Sequence, residues 1–216
     1  NGVKELVLCG MLLASRDIIG GNKWVDNNTD NENISKDMEK AKKNFAGNEI
    51  KGKKLGVIGL GAIGRLVAEA AVDLGMNVIG YDPFLPAGVA LKAGITVNNN
   101  LDEIFPVADY ITLHVPLTDD TRKMICTESI DKMKNTVRVL NFARGDLADS
   151  QAIVDALEEG KMAAYVTDFQ LILSALTELS QCLTLAQVLL KAKKTVLQWV
   201  LMSLLITLKT ETLKIQ

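Results

Sequence analysis

From Leu55 to about residue 168 the chain alternates short apolar runs with stretches of helical spacing. The runs at 55–59, 77–81, 95–97, 109–114, 136–141 and 163–167 predict strands, and the segments 62–74, 86–93, 101–106, 121–132 and 149–159 predict helices between them. This order implies parallel βαβ units, and so an α/β fold with a Rossmann-type doubly wound parallel sheet whose ligand lies beyond the carboxyl ends of the strands. Ahead of it, Val3, Leu6, Val7, Gly10, Leu13, Ala14 and Ile18 share one face, which predicts a helix over 3–19 that stops before Gly20 and Gly21. An Asn/Asp-rich loop is expected over 22–34 and a second helix over 35–45, stopped by Gly47. From residue 171 the pattern is lost: every one of the 16 glycines and 4 prolines lies earlier, and leucine dominates the remaining residues.

The first strand runs into Gly59, Gly61 and Gly64, and a helical pattern continues from there. Gly59 suits the tight strand-to-helix turn, Gly61 lets the backbone approach a pyrophosphate, and Gly64 lets the helix pack on the strand. The free amides around Ala62 and Ile63 then face the phosphates. Asp82 ends the second strand about twenty residues past the glycines, where a carboxylate accepts hydrogen bonds from both ribose hydroxyls and repels a 2′-phosphate. The expected cofactor is NAD.

Composition narrows the partners. A formal net charge of −2 argues against nucleic acid and an anionic membrane surface. The apolar stretch 196–208 is broken by Gln198 and too short to span a bilayer. Cys9, Cys126 and Cys182 follow no metal-ligand spacing, so no metal is expected, and with no leader pattern the reading is a reduced, cytoplasmic protein. A first residue other than Met is expected of a fragment.

Five motifs agree, the glycine turn among them: Val57-Ile-Gly-Leu-Gly-Ala-Ile-Gly64, Gly80-Tyr-Asp-Pro83, Leu113-His-Val-Pro-Leu117 with Thr121, Leu140-Asn-Phe-Ala-Arg-Gly145, and Ala164-Tyr-Val-Thr-Asp168. Over about residues 1–170 the chain resembles the D-2-hydroxyacid dehydrogenases, and most of all their phosphoglycerate dehydrogenase branch. The resemblance implies three segments: 1–50 as a helical lead-in from a substrate domain of which only a remnant is present, 51–169 as the NAD-binding domain, and 170–216 with no domain. It implies a small 2-hydroxy acid as substrate, 3-phosphoglycerate by branch, and a homo-oligomer packed through helix 3–19. Arg144 matches the arginine that grips the substrate carboxylate and polarises the reacting carbonyl. Asp168 matches an aspartate near the nicotinamide amide. His114, Val115, Pro116 and Thr121, with Phe142 and Ala143, match segments that line the cofactor cleft.

His114 is the single histidine, and keto-acid reduction needs a proton donor. The resemblance places the catalytic histidine elsewhere, in a later Pro-His-Leu-Gly-Ala-Ser-Thr segment that the chain lacks. Codons permitted for Cys182 to Leu189 spell that segment when read one frame over, and those for Leu205 to Gln216 permit Asp-Tyr-Leu-Glu-Asn-Gly-Asn-Ile-Lys-Asn-Ser in the same frame. The expectation is a one-base frameshift close to Phe169-Gln170, an out-of-frame tail and no turnover. The alternative reading is a non-catalytic, NAD-binding regulatory or interaction protein of the same fold.

Overall fold

The computed structural model describes residues 2–86 and 88–169, together with the backbone of 182–184. The strands are β1 (Lys54–Ile58), β2 (Asn77–Tyr81), β3 (Ile95–Val97), β4 (Tyr110–Leu113), β5 (Arg138–Asn141), β6 (Ala164–Thr167) and β7 (Cys182–Thr184). All pair in parallel, in the order β3-β2-β1-β4-β5-β6-β7. The sheet therefore reverses its winding between β1 and β4, which opens a crevice at their carboxyl ends.

Strands buried on both faces need apolar residues at nearly every position, since successive side chains point to opposite sides. Ile111, Val139 and Tyr165 feed one core layer, which α5 (Leu101–Ile104), α6 (Thr127–Asp131) and α7 (Ser150–Glu158) cover. Tyr110, Leu140 and Val166, their chain neighbours, feed the other layer, together with α1 (Gly2–Ser15) and α4 (Ala62–Asp73).

Three predicted elements differ. The helix expected over 3–19 ends at Ser15, whose hydroxyl bonds the Met11 carbonyl and lies 2.8 Å from the Tyr110 hydroxyl. Asp17 then caps α2 (Ile18–Asp26) by accepting from the Gly20 amide at 2.9 Å. Gly20 and Gly21 thus sit inside a helix that runs into the expected loop, because a formed cap offsets a glycine's helix cost of about 1 kcal/mol. The second helix, α3, matches its expectation at Ile34–Phe45. No helix forms among the described residues of 86–93, where Gly88 turns the chain with φ +83°. The helix expected over 121–132 is reduced to α6, because Lys123 at φ +53° breaks the helical path. Apart from β7, the segment 170–216 lies outside the described residues, and so do the frameshift expectation and the apolar stretch 196–208.

Candidate active site and its cofactor cradle

The parallel order brings the predicted residues to one end of the sheet: the glycine turn follows β1, Asp82 follows β2, His114–Thr121 follow β4, Phe142–Arg144 follow β5, and Asp168 follows β6. Two of the three glycines are fixed by space. Gly59 has φ +97°, and a Cβ there would lie 2.6 Å from the His114 carbonyl oxygen. At Gly64 a Cβ would lie 1.9 Å from the Gly59 carbonyl oxygen. At Gly61 a Cβ would meet nothing within 4 Å, so the turn leaves open space where a phosphate has to approach. Ala62 and Ile63 are exposed at the start of α4.

Asp82 braces this turn. One carboxylate oxygen accepts from the Leu60 amide at 2.9 Å, and the other accepts from the Phe84 amide at 3.0 Å. The Leu60 side chain packs over Gly80, where a Cβ would lie 2.6 Å from it. Each carboxylate oxygen keeps a further lone pair for a ribose hydroxyl. Both the open space at Gly61 and the braced acceptor fit a dinucleotide.

A match to the family model for the D-isomer specific 2-hydroxyacid dehydrogenase, NAD binding domain, covers residues 8–191. The chain belongs to this family. Its cofactor is NAD. Over 127 residues this dehydrogenase domain is 48% identical to a D-3-phosphoglycerate dehydrogenase of Methanocaldococcus jannaschii, a match covering 59% of this chain and 24% of the relative. Over 164 residues it is 38% identical to the D-3-phosphoglycerate dehydrogenase of Synechocystis sp., covering 76% of this chain and 28% of the relative. The crystal structure of D-lactate dehydrogenase with NAD+ from Lactobacillus jensenii aligns with a TM-score of 0.62 at 30% identity, over 77% of this chain and 47% of that one. The chain thus spans about a quarter of the length of these curated relatives.

The remaining site residues of the dehydrogenase domain divide by what holds them. Phe142 is buried with its ring against Gly10 of α1, so its main chain alone is left for the cleft. Thr121 donates its hydroxyl to the Pro116 carbonyl at 2.7 Å and accepts from the Thr118 amide at 2.8 Å, which folds the 116–121 turn. Pro116 is exposed, and Val115 and Ala143 are half-buried against the α7-side core. Asp168 is exposed, and so is Arg144, whose Nη1 donates to the Ala143 carbonyl at 2.7 Å. Among the described residues no three His, Cys, Asp or Glu side chains group to hold a metal, and no helix is long and apolar enough to cross a membrane.

His114 joins the cradle through packing and two hydrogen bonds. Its amide donates to the Ile58 carbonyl at 2.7 Å, its Nε2 lies 3.0 Å from the Thr112 hydroxyl, and burial pushes its pKa down to about 4. The unfolded chain therefore binds a proton near pH 6.5 that the folded chain refuses until about pH 4, so stability is full above 6.5 and falls as pH drops between the two. With each pKa unit worth about 1.4 kcal/mol, the loss by pH 4 is on the order of 2–3 kcal/mol. His114→Asn is expected to flatten this part of a Tm-against-pH curve. An equal slope in the variant would refute the assignment.

Two further positions were assigned no role of their own from the sequence. Thr112, one residue before the end of β4, and Asn141, at the end of β5, are buried polar residues, and each hydrogen-bonds a site segment. A polar residue closing an otherwise apolar strand beside a predicted site is the cue that could have marked them.

Proposed function

We propose that this domain belongs to an oxidoreductase acting on the CH–OH group of a 2-hydroxy acid, with 3-phosphoglycerate as substrate and 3-phosphohydroxypyruvate as product, and that the chain as given does not turn over. The observation that carries the reading is the braced glycine turn on β1, on the same end of the sheet as the loop that presents Arg144. The names of the curated relatives support the choice of substrate. NAD supplies the hydride acceptor when bound.

The chain's own residues bind and orient. The glycine turn and Asp82 would hold the dinucleotide at phosphate and ribose, Pro116 and Thr121 would line its cleft, and Asp168 would lie near the nicotinamide amide. His114, held neutral by burial, shapes the cleft, and the resemblance gives the proton transfer to another histidine. Arg144 leaves its own loop carbonyl to pair its planar fork with the substrate carboxylate, a bidentate geometry that lysine cannot reproduce. The proton-transferring histidine belongs to the segment that the frameshift reading removes.

Titration with NADH, followed by fluorescence, and an assay of NAD reduction with 3-phosphoglycerate test the parts separately. Binding without turnover is the expected pair of results. Turnover by this chain would refute the inactivity, and no NADH binding would refute the cradle. Arg144→Lys is expected to weaken capture of oxamate, a 2-keto acid analogue, at least tenfold in the NADH-loaded chain. The nucleotide sequence across codons 182–188 decides the frame: if it cannot spell Pro-His-Leu-Gly-Ala-Ser-Thr one frame over, the frameshift is wrong.

A further inference from the structure

Arg144 is exposed, and its carbonyl sits in a loop with no regular structure until the 3₁₀ turn Gly145–Leu147. An exposed arginine on such a loop has no fixed origin from which to meet a carboxylate. The residue that supplies one is Asn141, which is fully buried at the end of β5. Its Nδ2 donates to the Arg144 carbonyl at 2.8 Å, and its Oδ1 accepts from the Ala143 amide at 3.2 Å. The same Nδ2 lies 3.0 Å from the hydroxyl of Tyr165, itself buried on β6. One carboxamide thus closes the turn from both ends and ties it to the neighbouring strand.

We propose that Asn141 is a positioning residue for Arg144: its buried carboxamide, anchored beside Tyr165, sets the turn from which the guanidinium reaches the substrate carboxylate. The inference rests on the reading of Arg144 as the carboxylate-binding residue. It assigns Asn141 no contact with substrate or cofactor. The residue type is dictated by the geometry. The turn presents one carbonyl and one amide to a single side chain, so that side chain must donate and accept at once. Aspartate lacks the N–H donor, and an apolar residue of similar size leaves both main-chain groups without their partner.

Amide hydrogen exchange on the full chain without ligand tests the turn directly. In Asn141→Leu the Ala143 and Leu147 amides are expected to exchange at least tenfold faster, while those of β1 and α4 keep their wild-type rates. The Leu147 amide is informative because it donates to the Arg144 carbonyl. Unchanged rates at both amides would overturn the proposal, and so would an equal acceleration across the whole sheet, which marks a residue of general stability. If the leucine variant does not fold, Asn141→Ala, which also removes both the donor and the acceptor, carries the same test.

A double-mutant cycle reads the action through Arg144. Asn141→Leu is expected to weaken oxamate binding to the NADH-loaded chain at least tenfold, and to add less than twofold in an Arg144→Ala background. Multiplying effects would show that Asn141 does not act through Arg144 and would overturn the proposal. If the wild-type chain does not capture oxamate, the reading of Arg144 fails, while the exchange rates still decide whether Asn141 sets the turn.

Discussion

Gly64→Ala is expected to cost roughly 3 kcal/mol or more and to abolish measurable NADH binding, because an over-packed methyl usually costs about 1–3 kcal/mol and this one meets main chain that cannot rotate away. The added Cβ falls 1.9 Å from the Gly59 carbonyl oxygen and 3.3 Å from the His114 Cβ. Relief requires α4 to separate from the end of β1, or the Gly59 peptide to leave its φ of +97°. Either movement displaces the amides at the start of α4 that the proposed cradle turns toward the phosphates. For a domain of this size the loss corresponds to a Tm lower by about 10 °C. Gly61→Ala is the contrasting variant. Its methyl meets nothing within 4 Å, so Tm should change little while NADH affinity falls, since in the proposed cradle the space it fills is the space left for the pyrophosphate. If Gly64→Ala kept both its Tm and its NADH affinity, the close approach of helix and strand could not be what demands glycine there.

Asp82→Ala is expected to weaken NADH binding by roughly a hundredfold and NADPH binding far less, so that the two affinities come within about tenfold of each other. On the proposed reading the ribose loses two hydrogen bonds to a charged acceptor, together worth at least about 3 kcal/mol. A second effect adds to it. The Leu60 amide, in a residue 1% exposed, loses its 2.9 Å acceptor, and the Phe84 amide loses its own. The glycine turn then loosens even without cofactor. Calorimetric titration with both nucleotides measures the ratio, and an unchanged preference for NADH would show that another group excludes the 2′-phosphate.

Much of this architecture is written in the apolar runs. The strand expected at 109–114 forms at Tyr110–Leu113, and that at 163–167 forms at Ala164–Thr167, because a parallel strand covered on both faces leaves few positions for polar residues. The glycine turn was legible for a related reason: its residue types answer to backbone sterics, which are local. Where a side chain beyond the element decides, the pattern fails. Asp17 starts α2 across two glycines, and Lys123, a residue with no turn signature, takes φ +53° where its amide bonds the Asp146 carbonyl at 2.8 Å and its ammonium pairs with Asp149 at 2.8 Å. Asn141 belongs with these. Its partners are Ala143, Arg144 and Tyr165, and the last comes within reach only when β6 docks beside β5.

The sheet order also governs when each part of the site is completed. β1, between β2 and β4, pairs Lys54 with Asn77 and Leu55 with Tyr110, so the glycine turn, Asp82 and His114 all come from one continuous stretch of about sixty residues. As the chain leaves the ribosome, that stretch is finished before the loop of Arg144 has been made, and short separations along the chain favour early pairing. The nucleotide cradle is a feature that a nascent chain can assemble first, with the arginine and its asparagine anchor joining as β5 and β6 extend the sheet.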